Sequence, residues 1–423
     1  MIITKEAQNG SFLTKEELKV ALLGVFDMLG SRKRVLAVPP DITRYHSFAG
    51  YLTELAYEYY GDRLVDVLPA LGTHNAMTDE EIKFMYPSVP PELFRYHDWR
   101  NGLSNLGTVP ASYVKEVSEG KVDYDIPVQI DKLLNEGNHD LILSIGQVVP
   151  HEVAGMASYT KNIFIGTGGA EGINKSHFLG AAYGMERIMG RAKTPVRKVF
   201  NYGADHFTKH LPILYVMTVV GKDSDGKLGV KGLFIGDEHE CFYKAAALSL
   251  KENFIMLDKP LKKIVVYLDP SEYRTTWLGN KSIYRTRMAL DDGGELIVLA
   301  PAVKKFGEDP GNDAIIRKYG YVGIDKVLDL TKKNEDLQMS LGASAHLIHG
   351  SSEGRFTITY CPGHLTKEET EKANFRYGEL EKMMKVYNPE KMQEGFNSIN
   401  GEEVFYISNP ALGLWAYKNR FND

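Results

Sequence analysis

The sequence predicts an α/β protein of two domains, each a mostly parallel sheet flanked by helices, with the active site in the cleft between them. Three observations carry that expectation. A chain of 423 residues is longer than one hydrophobic core usually organises. Short runs of valine, isoleucine and leucine alternate with amphipathic stretches, the pattern of buried parallel strands joined by crossover helices. The loops that follow those runs collect charged and imidazole side chains, and ligands of open parallel sheets bind beyond the carboxyl ends of the strands.

In the first half the strand-like runs are Arg34–Val38, Leu64–Leu68 and Asp140–Ile145. In the second half they are Lys263–Leu268, Glu295–Leu299, Phe356–Tyr360 and Val404–Ile407. Lys15–Leu29 and Ile130–Glu136 read as amphipathic helices. A polar junction at Lys251–Lys262 divides the chain into expected domains 1–255, carrying cofactor and catalysis, and 256–423, contributing to substrate binding.

Composition narrows the function. The formal net charge is -5, which does not attract nucleic acid or anionic lipid over a broad face. An anionic substrate would need local cations. Cys241 and Cys361 are the only cysteines and lack CxxC spacing, which excludes a cysteine zinc site and a disulfide scaffold. The N-terminus has no apolar signal core, and the most apolar stretch, Leu211–Val220, is too short to span a bilayer. A soluble, cytoplasmic protein is expected, without nucleic-acid or membrane partners.

The loops after the strands hold the chemistry. The first run leads into Pro39-Pro40-Asp41-Ile42-Thr43-Arg44, the second into Gly72-Thr73-His74, the third through Gly146-Gln147 to His151. Arginine offers a planar fork that matches a carboxylate, although Asp41 and Arg44 would equally form a loop-stiffening pair. Histidines exchange protons near neutral pH, although backbone groups satisfy most loop histidines. Lys161 precedes the apolar Ile163-Phe164-Ile165 and the turn Gly166-Thr167-Gly168-Gly169, whose backbone N–H groups suit a phosphate. That turn is neither a dinucleotide fingerprint nor a Walker loop, which disfavours an ordinary NAD dehydrogenase. His206 and His210, at helical spacing beside Asp205, read as structural or as a zinc site. His346 and His349 read as packing or interface residues, and Arg187, Arg191, Lys193, Arg197 and Lys198 as a solvated basic face.

The stretch from His151 through Ala154-Gly155 to Lys161, continuing to His177, resembles the lactate racemase family and its nickel-pincer nucleotide relatives. The intervals of ten and sixteen residues match the family, as do Asp41–Arg44 and Gly72-Thr73-His74, in order along the chain. The resemblance implies a nickel pincer built on a pyridinium mononucleotide, joined covalently to Lys161 and made by accessory proteins, with His177 as the nickel ligand. It implies His74 and His151 as the acid–base pair and Arg44 and Lys281 as substrate-binding cations. Gly166, Gly168 and Gly169 join Asp41 among the cofactor-binding positions, with Asp41 orienting one of these partners.

The implied reaction inverts C2 of a 2-hydroxy acid by reversible hydride transfer. The family often has Ser-Gly-Gly-Arg before the lysine, whereas this chain has Ala157-Ser158-Tyr159-Thr160. Tyr45, His46, Arg274, Asn280 and Arg285 add polar groups suited to a sugar acid, with lactate itself as the alternative. Outside this class, a zinc hydrolase on His206, His210 and Asp205, or a protein that binds an anionic metabolite, would use the same chain differently.

Overall fold

The computed structural model describes residues 2–8, 10–223 and 225–421, which form two compact units. The first comprises residues up to Tyr183 and Arg187–Asn253; the second comprises Gly184–Glu186 and the chain from Phe254 onward. No helix among the described residues is long and apolar enough to cross a membrane.

The first unit is built on β1 (Ile2–Glu6), β2 (Val35–Val38), β3 (Leu64–Val67), β4 (Leu141–Gln147), β5 (Ile213–Lys222) and β6 (Leu228–Gly236). They lie in the order β1-β6-β5-β4-β2-β3. The four strands from β5 to β3 run parallel, and β6 and β1 extend that sheet antiparallel. The apolar run at Leu211–Val220 is therefore a buried strand.

Helix α1 (Lys15–Leu29) starts at Thr14, whose side chain accepts from the Glu17 N–H while the Glu17 carboxylate returns to the Thr14 backbone. Its Leu18, Leu22, Val25 and Phe26 share one face and pack with α2 (Ala49–Tyr60) against Val35, Ala37 and Leu143. Full burial of each such side chain stabilises the fold by roughly 1.5–3 kcal/mol over exposure.

The expected helix Ile130–Glu136 begins as the end of a strand and is helical only from Lys132. Alternating Ile126, Val128 and Ile130 pair antiparallel with Leu103–Val109, and Asp131 then caps a short helix at Lys132–Glu136. Three further helices matter below: α3 (Thr160–Phe164), α4 (Ala170–Tyr183) and α5 (Pro195–Phe207).

The second unit has strands β7 (Leu261–Tyr267), β8 (Leu290–Ala300), β9 (Thr357–Pro362), β10 (Arg376–Tyr377), β11 (Gly395–Ile399) and β12 (Glu402–Ile407). Their order is β10-β9-β8-β7-β12-β11, parallel except for the β11–β12 pair. Val265, Ile297, Leu299 and Tyr406 form a core on this sheet.

Candidate active site

In the first sheet the chain passes from β2 to β3 on one side and returns to β4 on the other. That reversal leaves a crevice beyond the carboxyl ends of β2 and β4. Asn162 lies there, its side-chain amide donating to Val38 O at 3.1 Å and Ser144 Oγ at 3.0 Å, one contact on each strand. Around it opens a cavity of about 340 Å³ whose lining residues all belong to the first unit. Asp41, Arg44, His74, His151, Lys161, Gly166 and His177 all reach its wall.

Asp41 caps the tight turn Ile42–Ser47 by accepting from Thr43 N and Thr43 Oγ1, and its other oxygen lies 2.8 Å from His74 Nδ1. Burial pushes the Asp41 carboxyl up, but the hydrogen bonds from His74 and Thr43 outweigh it and hold the pKa below the usual range. An ionised Asp41 requires His74 to donate from Nδ1, which leaves Nε2 as a proton acceptor. Asp41 thus holds His74 in an orienting contact while it lines the same cavity.

His151 is held the opposite way. Its Nδ1 accepts from the N–H groups of Val153 and Ala154, at 3.1 and 3.3 Å, so its neutral ring carries the proton on Nε2. Burial, then the charge of Lys161, pulls its pKa well below the ordinary value. The Lys161 ammonium falls to about 8, chiefly through burial and next through the Arg44 guanidinium, while Glu152 opposes the shift. His177, on α4, donates from Nδ1 to Ile173 O at 2.6 Å, and burial followed by Lys161 lowers it to about 4. Its Nε2 is therefore unprotonated, the form that binds a metal.

Sequence reasoning passed over Gln147, Glu152, Ser158 and Asn162, which also line the cavity. Ser158 and Tyr159 both have positive φ, 64° and 59°, a conformation neither residue type signals. Ser158 is buried, its hydroxyl has no partner among the described residues, and a Cβ at Gly146 would come within 2.8 Å of it.

Several expected residues lie elsewhere. Gly168 and Gly169 are outside the cavity lining. The Gly168 carbonyl accepts from the buried His97 Nε2 at 3.1 Å, and Gly169 packs against Gln129 and Leu103. Tyr45 and His46 are exposed and meet edge to face, with Tyr45 also tilted against Phe84. Lys281 belongs to the second unit, with its ammonium 5.9 Å from the centre of the Tyr273 ring. In that unit Asn280 is fully buried, Arg274 is exposed and Arg285 reaches Gly413 O.

The zinc reading fails on geometry. α5 ends at Phe207, so His210 is not one turn along a helix from His206. His206 bonds Tyr202 O, His210 faces Asn135, and Asp205 pairs with His239. Among the described residues no three His, Cys, Asp or Glu side chains converge as metal ligands. Arg197, expected on a solvated face, is buried.

Fold and cavity define the class first: an α/β protein with a polar, histidine-lined cavity at the carboxyl ends of a parallel sheet. Residues 21–187 match the lactate racemase N-terminal domain. That likeness covers about two fifths of the chain and lies almost wholly in the first unit. A crystal structure of a protein from Thermotoga maritima is similar over 97% of this chain and 99% of that one, at 25% identity and a TM-score of 0.75. The lactate racemase apoprotein from Thermoanaerobacterium thermosaccharolyticum shares the fold over 96% of this chain and 93% of its own, at 18% identity and a TM-score of 0.70. Comparison with curated proteins finds no match.

Proposed function

We infer that the cavity inverts C2 of a 2-hydroxy acid, with a nickel-bearing pyridinium mononucleotide as cofactor and a polyhydroxylated acid as preferred substrate. The observation that carries the reading is one cavity lined by a proton acceptor (His74), a proton donor (His151), an amine of lowered pKa (Lys161) and a guanidinium (Arg44).

The donor set fits such a cofactor. Lys161 is poised for a covalent bond because an amine near pKa 8 keeps about a tenth of its population unprotonated at pH 7, far more than an ordinary lysine. His177 offers one unprotonated imidazole nitrogen to nickel. The orphaned Ser158 hydroxyl and the backbone at Gly166 supply polar contacts to the nucleotide. When bound, the group supplies a reversible hydride acceptor.

The chain's own residues do the rest. Arg44 grips the substrate carboxylate. His74 Nε2 takes the hydroxyl proton, and Asp41 offsets the charge that develops on the ring. His151 steadies the substrate oxygen from its Nε2–H, and the proton held on His74 returns to that oxygen when the opposite face is reduced. Thr43, Thr73, Gln147 and Asn162 make the wall polar, which suits a substrate with further hydroxyls.

Co-expression with the cofactor-making proteins, then chiral chromatography of lactate and gluconate, tests the reading. Inversion of gluconate at higher kcat/KM than lactate is expected. Preference for lactate refutes the sugar acid, and no inversion of any 2-hydroxy acid by nickel-loaded protein refutes the reaction.

A further inference from the structure

Arg197 lies in the first turn of α5 and is 1% exposed. No carboxylate pairs with it among the described residues, and burial lowers even its guanidinium to about 10. It also sits at the positive end of its own helix dipole. A buried cation so placed is unfavourable unless its donors are well used. All three of its side-chain hydrogen bonds go to one short segment, and its Nε has no partner among the described residues. Nη1 donates to Ser158 O at 3.2 Å and to Thr160 Oγ1 at 2.8 Å, and Nη2 donates to Met156 O at 2.7 Å. Phe242 stacks over the guanidinium at 4.2 Å.

The rest of the α5 face grips the same segment. Asn201, one turn on, accepts from Thr160 Oγ1 at 3.0 Å. Asp205, a further turn on, accepts from His239 Nε2 at 3.2 Å, and His239 Nδ1 lies 2.9 Å from the Tyr159 hydroxyl. Between these anchors Ser158 and Tyr159 hold a left-handed backbone that is strained for side chains of their type. Thr160 and Lys161 then open α3.

We propose that Arg197 is a positioning residue whose guanidinium clamps the left-handed Ser158–Tyr159 turn, and so fixes the Ser158 hydroxyl and the Lys161 amine on the cavity wall. It acts from behind the turn and does not line the cavity. The fork matters more than the charge, because one planar group must serve three oxygens at once. The catalytic consequence rests on the proposed inversion; the clamp itself does not.

The test compares the full-length apo chain with Arg197→Lys and Thr160→Val by amide hydrogen exchange and peptide mass. Arg197→Lys keeps charge without the fork; Thr160→Val keeps volume without the shared hydroxyl. Peptides covering 156–162 are expected to exchange about 10-fold faster in Arg197→Lys and about 3-fold faster in Thr160→Val, with β4 and β5 unchanged. In cofactor-loaded protein kcat for inversion is expected to fall at least about 10-fold with KM within about 3-fold, the mark of a misplaced group.

Unchanged exchange at 156–162, or protection lost evenly across the first unit, overturns the proposal. So does a loosened turn with unaltered kcat. If Arg197→Lys does not fold, the Thr160→Val result decides. A loosened turn in a protein that inverts no 2-hydroxy acid supports the clamp and refutes the inversion reading.

Discussion

His177 in the first unit and His346 in the second are both drawn far below the ordinary histidine range by burial, to about 4 and about 3. The first lines a polar cavity with Nδ1 tied to a helix carbonyl. The second is stacked on Trp277, ring centres 4.0 Å apart, with the Tyr321 hydroxyl 3.3 Å away. The more depressed group is the one enclosed by packing. A shifted pKa records desolvation; chemistry also needs open space beside the group and partners that set its proton.

The strongest way to break that contrast is Lys161→Ala. Intact-mass measurement of co-expressed protein should show the cofactor on wild type and the bare chain in the variant, with inversion reduced to background and the fold retained. An active wild type with the mass of the bare chain would end the covalent assignment.

Next come the two cavity histidines, which the hydrogen bonds make unequal. His74→Gln removes an acceptor and should cost roughly 10³-fold in kcat. His151→Gln keeps an N–H donor and should cost only about 10- to 100-fold. Equal losses would show that the opposite tautomers have no bearing on turnover.

Metal content separates cavity from packing directly. His177→Ala should lose most nickel by elemental analysis, whereas His206→Ala, His210→Ala and His346→Ala should keep it. His346→Ala should instead lower stability by about 1–3 kcal/mol in denaturant unfolding, through lost packing and stacking. Nickel loss in all four would move the metal away from His177.

The smallest effect is a titration. Labelling of Lys161 by an amine reagent in the apo protein should rise with an apparent pKa near 8, below the ordinary 10.5. The folded value is the lower one, so the unfolded chain binds more protons between pH 8 and 10.5. Stability from this group therefore rises with pH across that window and its penalty is fully present below it. A labelling midpoint near 10.5 would mean that the amine is solvated.

Much of this was legible in the chain itself. Alternating apolar runs and helical spacing set out the central strands and α1, and strand ends named Asp41, Arg44, His74 and His151. Those loop residues meet because parallel strands deliver their carboxyl ends to one edge, a consequence of local pattern and topology. Lys161 and His177 joined them only through resemblance, since one lysine and one histidine carry no signal alone.

Local pattern does not encode which partner a side chain finds across the fold. Arg197 reads as one more cation in a basic run, and only the packing of α5 behind the Ser158–Tyr159 turn buries it. The commitment of Asp41 to His74, the opposite proton placement on His151 and the withdrawal of Gly168 behind His97 were likewise decided in three dimensions. Strand and helix identity follows from periodic burial along the chain. Protonation, tautomer and backbone strain depend on contacts between residues far apart in sequence, and those exist only once the tertiary structure has formed.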